Sequence, residues 1–253
     1  DCEKLQSNLE GLQEWSDKWL LRHSKKCKVI SFGRQINIKH VYKLKDKDQM
    51  HDLERVETIT DLGVNLDTKL SFSDHIQAKI NKAYSMIGLI KRNFSSLSVS
   101  SFVMLYKSMV RSHLDYCNSV WAPYKKCDVE DLEKVQRKAT KILPALKKLT
   151  YADRLKRCGL PTLSYRRVRG DMIETYKILS GKYDISAAPA LALNDYGSTR
   201  GNDLKLQVLN TRYELRKHFF TLLIGIVCQM RSYWQTQLTY LKKDLTNFGK
   251  IRT

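Results

Sequence analysis

The residues best suited to chemistry in this chain are cations set at helical spacing. Lys134, Arg137, Lys138 and Lys141 recur at intervals of three and four, opposite a stripe formed by Leu132, Val135, Ala139 and Ile142. Lys79 and Lys82 flank a second stripe, Ile76, Ile80, Ala83, Tyr84, Ile87 and Ile90, which closes on Lys91 and Arg92. Ammonium and guanidinium groups in such a row suit phosphates, which they meet without reading sequence. If each displaces a counterion from duplex DNA, about four contacts give a log–log salt slope near −3.6. The rival reading is a solvated helix side.

The overall charge favours a polyanionic partner. The chain carries a formal +19 with a pI near 9.7, a self-repulsion that nucleic acid or an anionic surface would relieve. Its distribution says more than its total. Residues 1–75 hold 13 Lys and Arg against 13 Asp and Glu, so all nineteen excess charges lie after residue 75.

Other chemistries find less support. The six cysteines, at 2, 27, 117, 127, 158 and 228, form no C-x-x-C pair, and the histidines do not fall beside them at metal-ligand spacing. Reduced thiols and a cytoplasmic and nuclear location are expected. The longest apolar run, "FFTLLIGIVC" at 219–228, is too short to cross a bilayer, so no membrane partner is expected. Asn93-Phe94-Ser95 reads as a helix-end loop rather than a glycan acceptor, and Arg169-Gly170-Asp171 lies inside a helical stripe.

The elements that must hold these cations fall into two kinds. Leu5, Leu9, Leu12, Trp15 and Trp19 predict a first helix ending near His23 and packing on a sheet. "KCKVISFG" at 26–33 predicts a strand, Val56–Ile59 with Leu62–Leu66 a strand pair turning at 60–61, and the charge-dense 43–54 an exposed turn or loop. From 75 onward the period is helical. Phe102, Leu105, Tyr106, Met109 and Val110 mark one helix. Asp128 with Asp131 suggests the capping of the next, and Thr162 opens another with Tyr165, Val168, Met172, Tyr176 and Leu179 inward. A linker or mobile loop is expected at 182–210. The fold class is α+β, mainly α.

Several blocks occur in fixed order: "LQEWSDKWLLRHSKKCKVISFGR", "DLGVNLDTKLSFSDHI", "LYKSMVRSHLDYCNSVWAPY", "LEKVQRKATKIL" and "LKRCGLPTLSYRRVRGDMIETYKIL". Together they resemble the downstream part of the reverse transcriptase of a jockey-type non-LTR retrotransposon (a LINE), over roughly residues 1–225. The resemblance implies a palm remnant with a primer-grip hairpin at 1–75, a helical thumb at 76–126 and a helical C-terminal region at 127–253. It implies RNA-directed DNA polymerisation, with an RNA template and a DNA primer as partners and Mg²⁺ and dNTPs in the parent enzyme.

The resemblance also suggests roles for residues. Leu62, Gly63 and Val64 fall at the primer grip, where a glycine lets backbone approach a sugar-phosphate; an ordinary hairpin bulge is the rival reading. Lys26 falls where a lysine near the incoming triphosphate protonates the leaving pyrophosphate; Lys25 is an equally placed candidate, and a surface lysine in a basic turn is the rival reading. Lys79, Lys82, Lys91, Arg92, Lys134, Arg137, Lys138 and Lys141 are the expected nucleic-acid contacts. The family's aromatic-Ala-Asp-Asp turn is expected upstream of "WSDKW", so metal ligands are expected to be absent and the chain alone to bind template-primer weakly without polymerising. "TYADRL" at 150–155 imitates that turn but reads as a helix cap. After "RKHFF" the family's Trp-Asn-x-Leu-Pro stretch does not follow, suggesting a degenerate copy or a changed reading frame near Cys228. A domesticated, non-catalytic nucleic-acid-binding protein and a functionless pseudogene product stay open as alternatives.

Overall fold

The computed structural model describes residues 2–21, 27–33, 39–46 and 49–184, with a few single positions up to 207. It is mainly helical with small sheets. The chain divides into two compact units, 1–75 and 76–253, and the division coincides with the change in charge.

The first unit opens with α1 (Cys2–Lys18), shorter than the period suggested. Its apolar stripe does not pack inward, since Leu5, Leu12, Trp15 and Trp19 are exposed. Instead the face through Gln6, Leu9, Gln13 and Ser16 is covered. Gln6 accepts from the Lys43 amide and donates to the Lys43 carbonyl, both at 3.1 Å, and Gln13 does the same for Lys45. Two glutamine amides two turns apart thus satisfy the edge of a strand as a neighbouring strand would.

That strand, β2 (Lys43–Asp46), pairs antiparallel with β3 (Gln49–Asp52), so part of the stretch read as a loop is a hairpin. Its charged residues concealed the alternation. Of the expected 26–33 strand, β1 (Lys28–Val29) alone forms among the described residues, pairing parallel with β4 (Glu54–Arg55). Strands β5 (Thr58–Asp61) and β6 (Val64–Asp67) pair antiparallel and turn at Leu62–Gly63, two residues beyond the expected point.

The second unit is built on α2 (Ser73–Asn93), which begins in the first. Ile76, Ile80, Ala83, Ile87 and Ile90 are buried, each isoleucine contributing about 1.5–3 kcal/mol. The next helix is interrupted: α3 (Val99–Leu105) passes through a π-helical turn (Tyr106–Arg111) into α4 (Ser112–Asp115). Ser108 and Ser112 bond back to the carbonyls of Met104 and Ser108 at 3.0 and 2.6 Å, a hydroxyl competition that bends helices. Phe102, Tyr106, Val110 and Leu114 stay buried through the change of pitch.

Short α5 (Asn118–Trp121) carries Trp121, wholly buried with its indole N–H donated to the Tyr116 carbonyl at 2.6 Å. Helix α6 (Lys126–Ala139) starts before the expected Asp128 cap and has no side-chain cap. In α7 (Tyr151–Cys158) the Thr150 hydroxyl accepts from the Asp153 amide at 3.3 Å, so "TYAD" is a helix start. Helix α8 (Leu163–Leu179) is capped by Thr162, and turns Leu163, Arg167, Asp171, Met172 and Thr175 inward. Of the expected inward stripe only Met172 is fully buried.

One buried polar network ties these helices. Tyr106 donates to Gln136 Oε1 at 2.6 Å, and Gln136 Nε2 donates to the Tyr151 hydroxyl and the Pro161 carbonyl at 3.1 and 2.9 Å. Tyr151 donates to Glu133, whose second oxygen accepts from the Leu163 amide at 3.0 Å. Burial raises the Tyr106 phenol well above its usual range, so it remains a donor.

Candidate nucleic-acid interface

The hairpin tip is built from an unusual residue. Asp61 pairs with Val64, leaving Leu62 and Gly63 as a two-residue loop with φ of 44° and 78°. Positive φ at both positions marks a type I′ turn, which favours Asn-Gly; a leucine there carries about 1 kcal/mol of strain. Leu62 is 82% exposed, whereas Val64 beside it is 5% exposed. A strained apolar side chain is therefore held outward at the tip.

The chain leaving the hairpin is fixed by one carboxylate. Asp67 accepts from the amides of Lys69, Ser71 and Phe72 at 2.9–3.0 Å and from the Ser71 hydroxyl at 3.0 Å. Gathering these donors bends the backbone through left-handed Leu70 and Phe72, at φ 51° and 55°. Burial raises the Asp67 pKa, but the hydrogen bonds from Ser71, Phe72 and Lys69 outweigh it and hold the carboxyl below its usual range. His75, in the first turn of α2, then accepts from the Asn65 amide of β6 at 3.1 Å. This bond ties β6 to His75 within the first unit.

A cleft of about 180 Å³ beside the hairpin is lined by Thr58, Thr60, Asn65, Asp67, Asp74 and His75, with Ile59 and Leu66. Its two carboxylates repel phosphate. The cleft is therefore ill suited to a nucleic-acid backbone.

The cations of the second unit form separate groups. Lys79 lies over the Tyr116 ring at 5.8 Å from its centroid, bringing the α2 face to the end of α4. His113 of α4 belongs to the same group: partial burial lowers its pKa, and Lys82 and then Lys79 lower it further. On the other flank of α2, Lys138 of α6 covers the Tyr84 ring at 4.7 Å. Lys134 lies on that face too, but pairs with Asp131 at 2.7 Å, which raises its pKa and offsets its charge. Arg137 stacks on Tyr151 of α7 at 5.1 Å, and Lys141 is exposed just past α6. Lys91 and Arg92, exposed at the end of α2, lie about 120° and 140° around the helix from Lys79.

Two of the remaining arginines are structural. Arg154 donates to Thr140 and to the Leu149 carbonyl, and Arg166 pairs with Asp115 at 2.9 Å beside Arg111 at 3.5 Å. Lys26 lies outside the described residues, as do most of the 182–210 loop and everything after Cys228. His113 escaped the sequence reading because its meeting with α2 is tertiary; only the basic-aromatic spacing of "RSHLDY" hinted at it.

Among the described residues no three His, Cys, Asp or Glu side chains come together to hold a metal ion. Among them, too, no helix is long and apolar enough to cross a membrane. The described cysteines are free thiols.

Comparison with known proteins gives two partial likenesses. Over 139 residues, 53% of this chain, it is 29% identical to the RNA-directed DNA polymerase from mobile element jockey of Drosophila melanogaster. The chain is similar to a retrotransposon polymerase over half its length. It spans only 15% of that polymerase. Over 135 residues, 51% of this chain and 68% of the relative, it is 28% identical to an uncharacterized protein of Caenorhabditis elegans. No family model and no solved structure matches.

Proposed function

We propose that this chain is the downstream part of a jockey-type retrotransposon reverse transcriptase and that it holds template-primer duplex. In this reading the β5–β6 tip, Leu62 to Val64, is the primer grip, and the helices from α2 onward are the thumb and C-terminal region. The observation that carries it is the hairpin of the first unit: Asp67 and His75 fix the chain that leaves it, and its tip is strained and turned outward. A polymerase needs a primer end held still while phosphates slide past; a fixed tip in the first unit suits the first need, and point cations in the second unit suit the other. The exposed apolar face of α1 also suits a helix that the rest of a palm would cover. Mg²⁺ and dNTP chemistry belongs, in this reading, to the whole polymerase.

The worm relative favours a second reading. A stretch of similar length makes up 68% of that protein, so such a segment also occurs in a much shorter chain. In this second reading the segment binds nucleic acid without catalysis.

Fluorescence anisotropy with a labelled RNA–DNA hybrid tests the proposal. Binding should weaken with salt at a log–log slope of about −3 to −4, and Lys79→Ala with Lys82→Ala should reduce that slope by about 2. A preference for hybrid over single-stranded RNA supports the polymerase reading, and equal binding supports the second. No binding at low salt rejects both.

A further inference from the structure

Lys79 and Lys82 stand one turn apart on α2, His113 lies on α4, and Tyr116 follows directly at its C-terminal cap. Lys79 covers the Tyr116 ring at 5.8 Å from its centroid, which brings α2 against the end of α4, and the His113 pKa, lowered first by burial, is lowered further by Lys82 and Lys79. The carboxylate nearest in sequence, Asp115, is engaged by Arg111 at 3.5 Å and Arg166 at 2.9 Å, and so does not balance this group. A partly buried histidine acted on by two ammonium groups is an unfavourable place for a third positive charge. A phosphodiester between them reverses the sign of the field.

We propose that Lys79, Lys82 and His113 form one phosphodiester site, and that His113 takes up a proton from the buffer as the phosphate arrives. This rests on the nucleic-acid reading above. The lysines supply constant charge and the histidine a conditional one, so the grip on the backbone strengthens as pH falls. Tyr116, whose face already holds Lys79, keeps that ammonium at the mouth of the site. The charged groups bearing on His113 are Lys82 and Lys79 from α2; on its own segment, Asp115 is held by Arg111 and Arg166 and the Tyr116 ring by Lys79.

The test is the affinity of the full chain for a short fluorescein-labelled RNA–DNA hybrid between pH 8 and pH 6, a range in which the probe's phosphodiesters do not titrate. Wild type should bind up to about tenfold tighter at pH 6 than at pH 8, the most that one proton coupled by about one pKa unit supplies. His113→Gln should lose this dependence and bind throughout as wild type does at pH 8. His113→Lys should lose it in the other direction, binding at pH 8 as wild type does at pH 6, and this variant decides the matter even if the glutamine variant folds poorly. Binding by wild type that ignores pH, or a pH slope that persists in either variant, overturns the shared site while leaving the function intact. Absence of hybrid binding at every pH overturns both.

Discussion

The two units reach stability by different means. In the first, Val64 is the single buried apolar core residue among those described; the second buries more than a dozen, from Ile76 to Met172. What orders the first unit is polar side chains closing on backbone: Gln6 and Gln13 on β2, Asp67 on the turn, His75 on Asn65, and Arg55 on the His40 carbonyl at 3.1 Å. What orders the second is close packing around one satisfied polar network. A wet, hydrogen-bonded framework leaves apolar side chains such as Leu62 and Trp19 facing out, ready for contact. A dry core turns outward the cations it has no use for.

The contrast is most easily broken at Gln136. It is fully buried and satisfies Tyr106, Tyr151 and the Pro161 carbonyl together. Gln136→Ala leaves two hydroxyls and a carbonyl short of partners and opens a cavity, at a cost of about 4 kcal/mol. In hydrogen exchange with mass spectrometry the loss should spread over α3, α6, α7 and α8, leaving the β5–β6 hairpin unchanged. Equal loss in both units would mean that they unfold as one.

The units should also answer acid in opposite directions. The Asp67 carboxyl is held below its usual range, so its contribution is present above the unfolded carboxylate pKa and is lost as pH falls through the folded one. Asp171 is the reverse. Burial, with Oδ1 lacking a hydrogen-bond partner, raises its pKa to about 6 against the pull of Arg167, so its contribution is present below about pH 4 and is lost as pH rises through 6. After allowance for solvent screening the effect on the second unit is on the order of 1–2 kcal/mol. Exchange at Lys69, Ser71 and Phe72 should therefore slow as pH rises from 3 to 5, after correction for intrinsic rates. Over pH 4 to 6 protection of α8 should fall, and Asp171→Asn should remove that fall. Parallel trends in both units would remove Asp67 and Asp171 as the cause.

These differences explain what the sequence could reveal. The α2 stripe was legible because apolar period and burial agree: Ile76, Ile80, Ala83, Ile87 and Ile90 all point inward. The α1 stripe misled because the same period there marks the face left outside, while Gln6 and Gln13 do the packing. Hairpin β2–β3 was hidden by charge, and α8 by the burial of Arg167 and Asp171. At the candidate site the local pieces could be read, namely the hairpin and the cations along each helix. The meeting of His113 with Lys79 and Lys82 could not, since it depends on how α4 packs against α2.

The smallest effect sharpens the contrast at its most exposed point. If the tip of β5–β6 is shaped only by folding, its best residue is the one the turn prefers. Leu62→Asn supplies a side chain that tolerates positive φ and removes an 82% exposed leucine, so the hairpin should gain about 1 kcal/mol in urea unfolding. If the leucine is kept for contact, the same change should weaken binding of an RNA–DNA hybrid with a recessed primer end about threefold, and leave binding of a blunt hybrid unaltered. A gain in stability with no loss at the recessed end would reduce Leu62 to an accident of the turn. A gain paired with that selective loss would assign the strain to function, as expected where a local rule is broken without structural benefit.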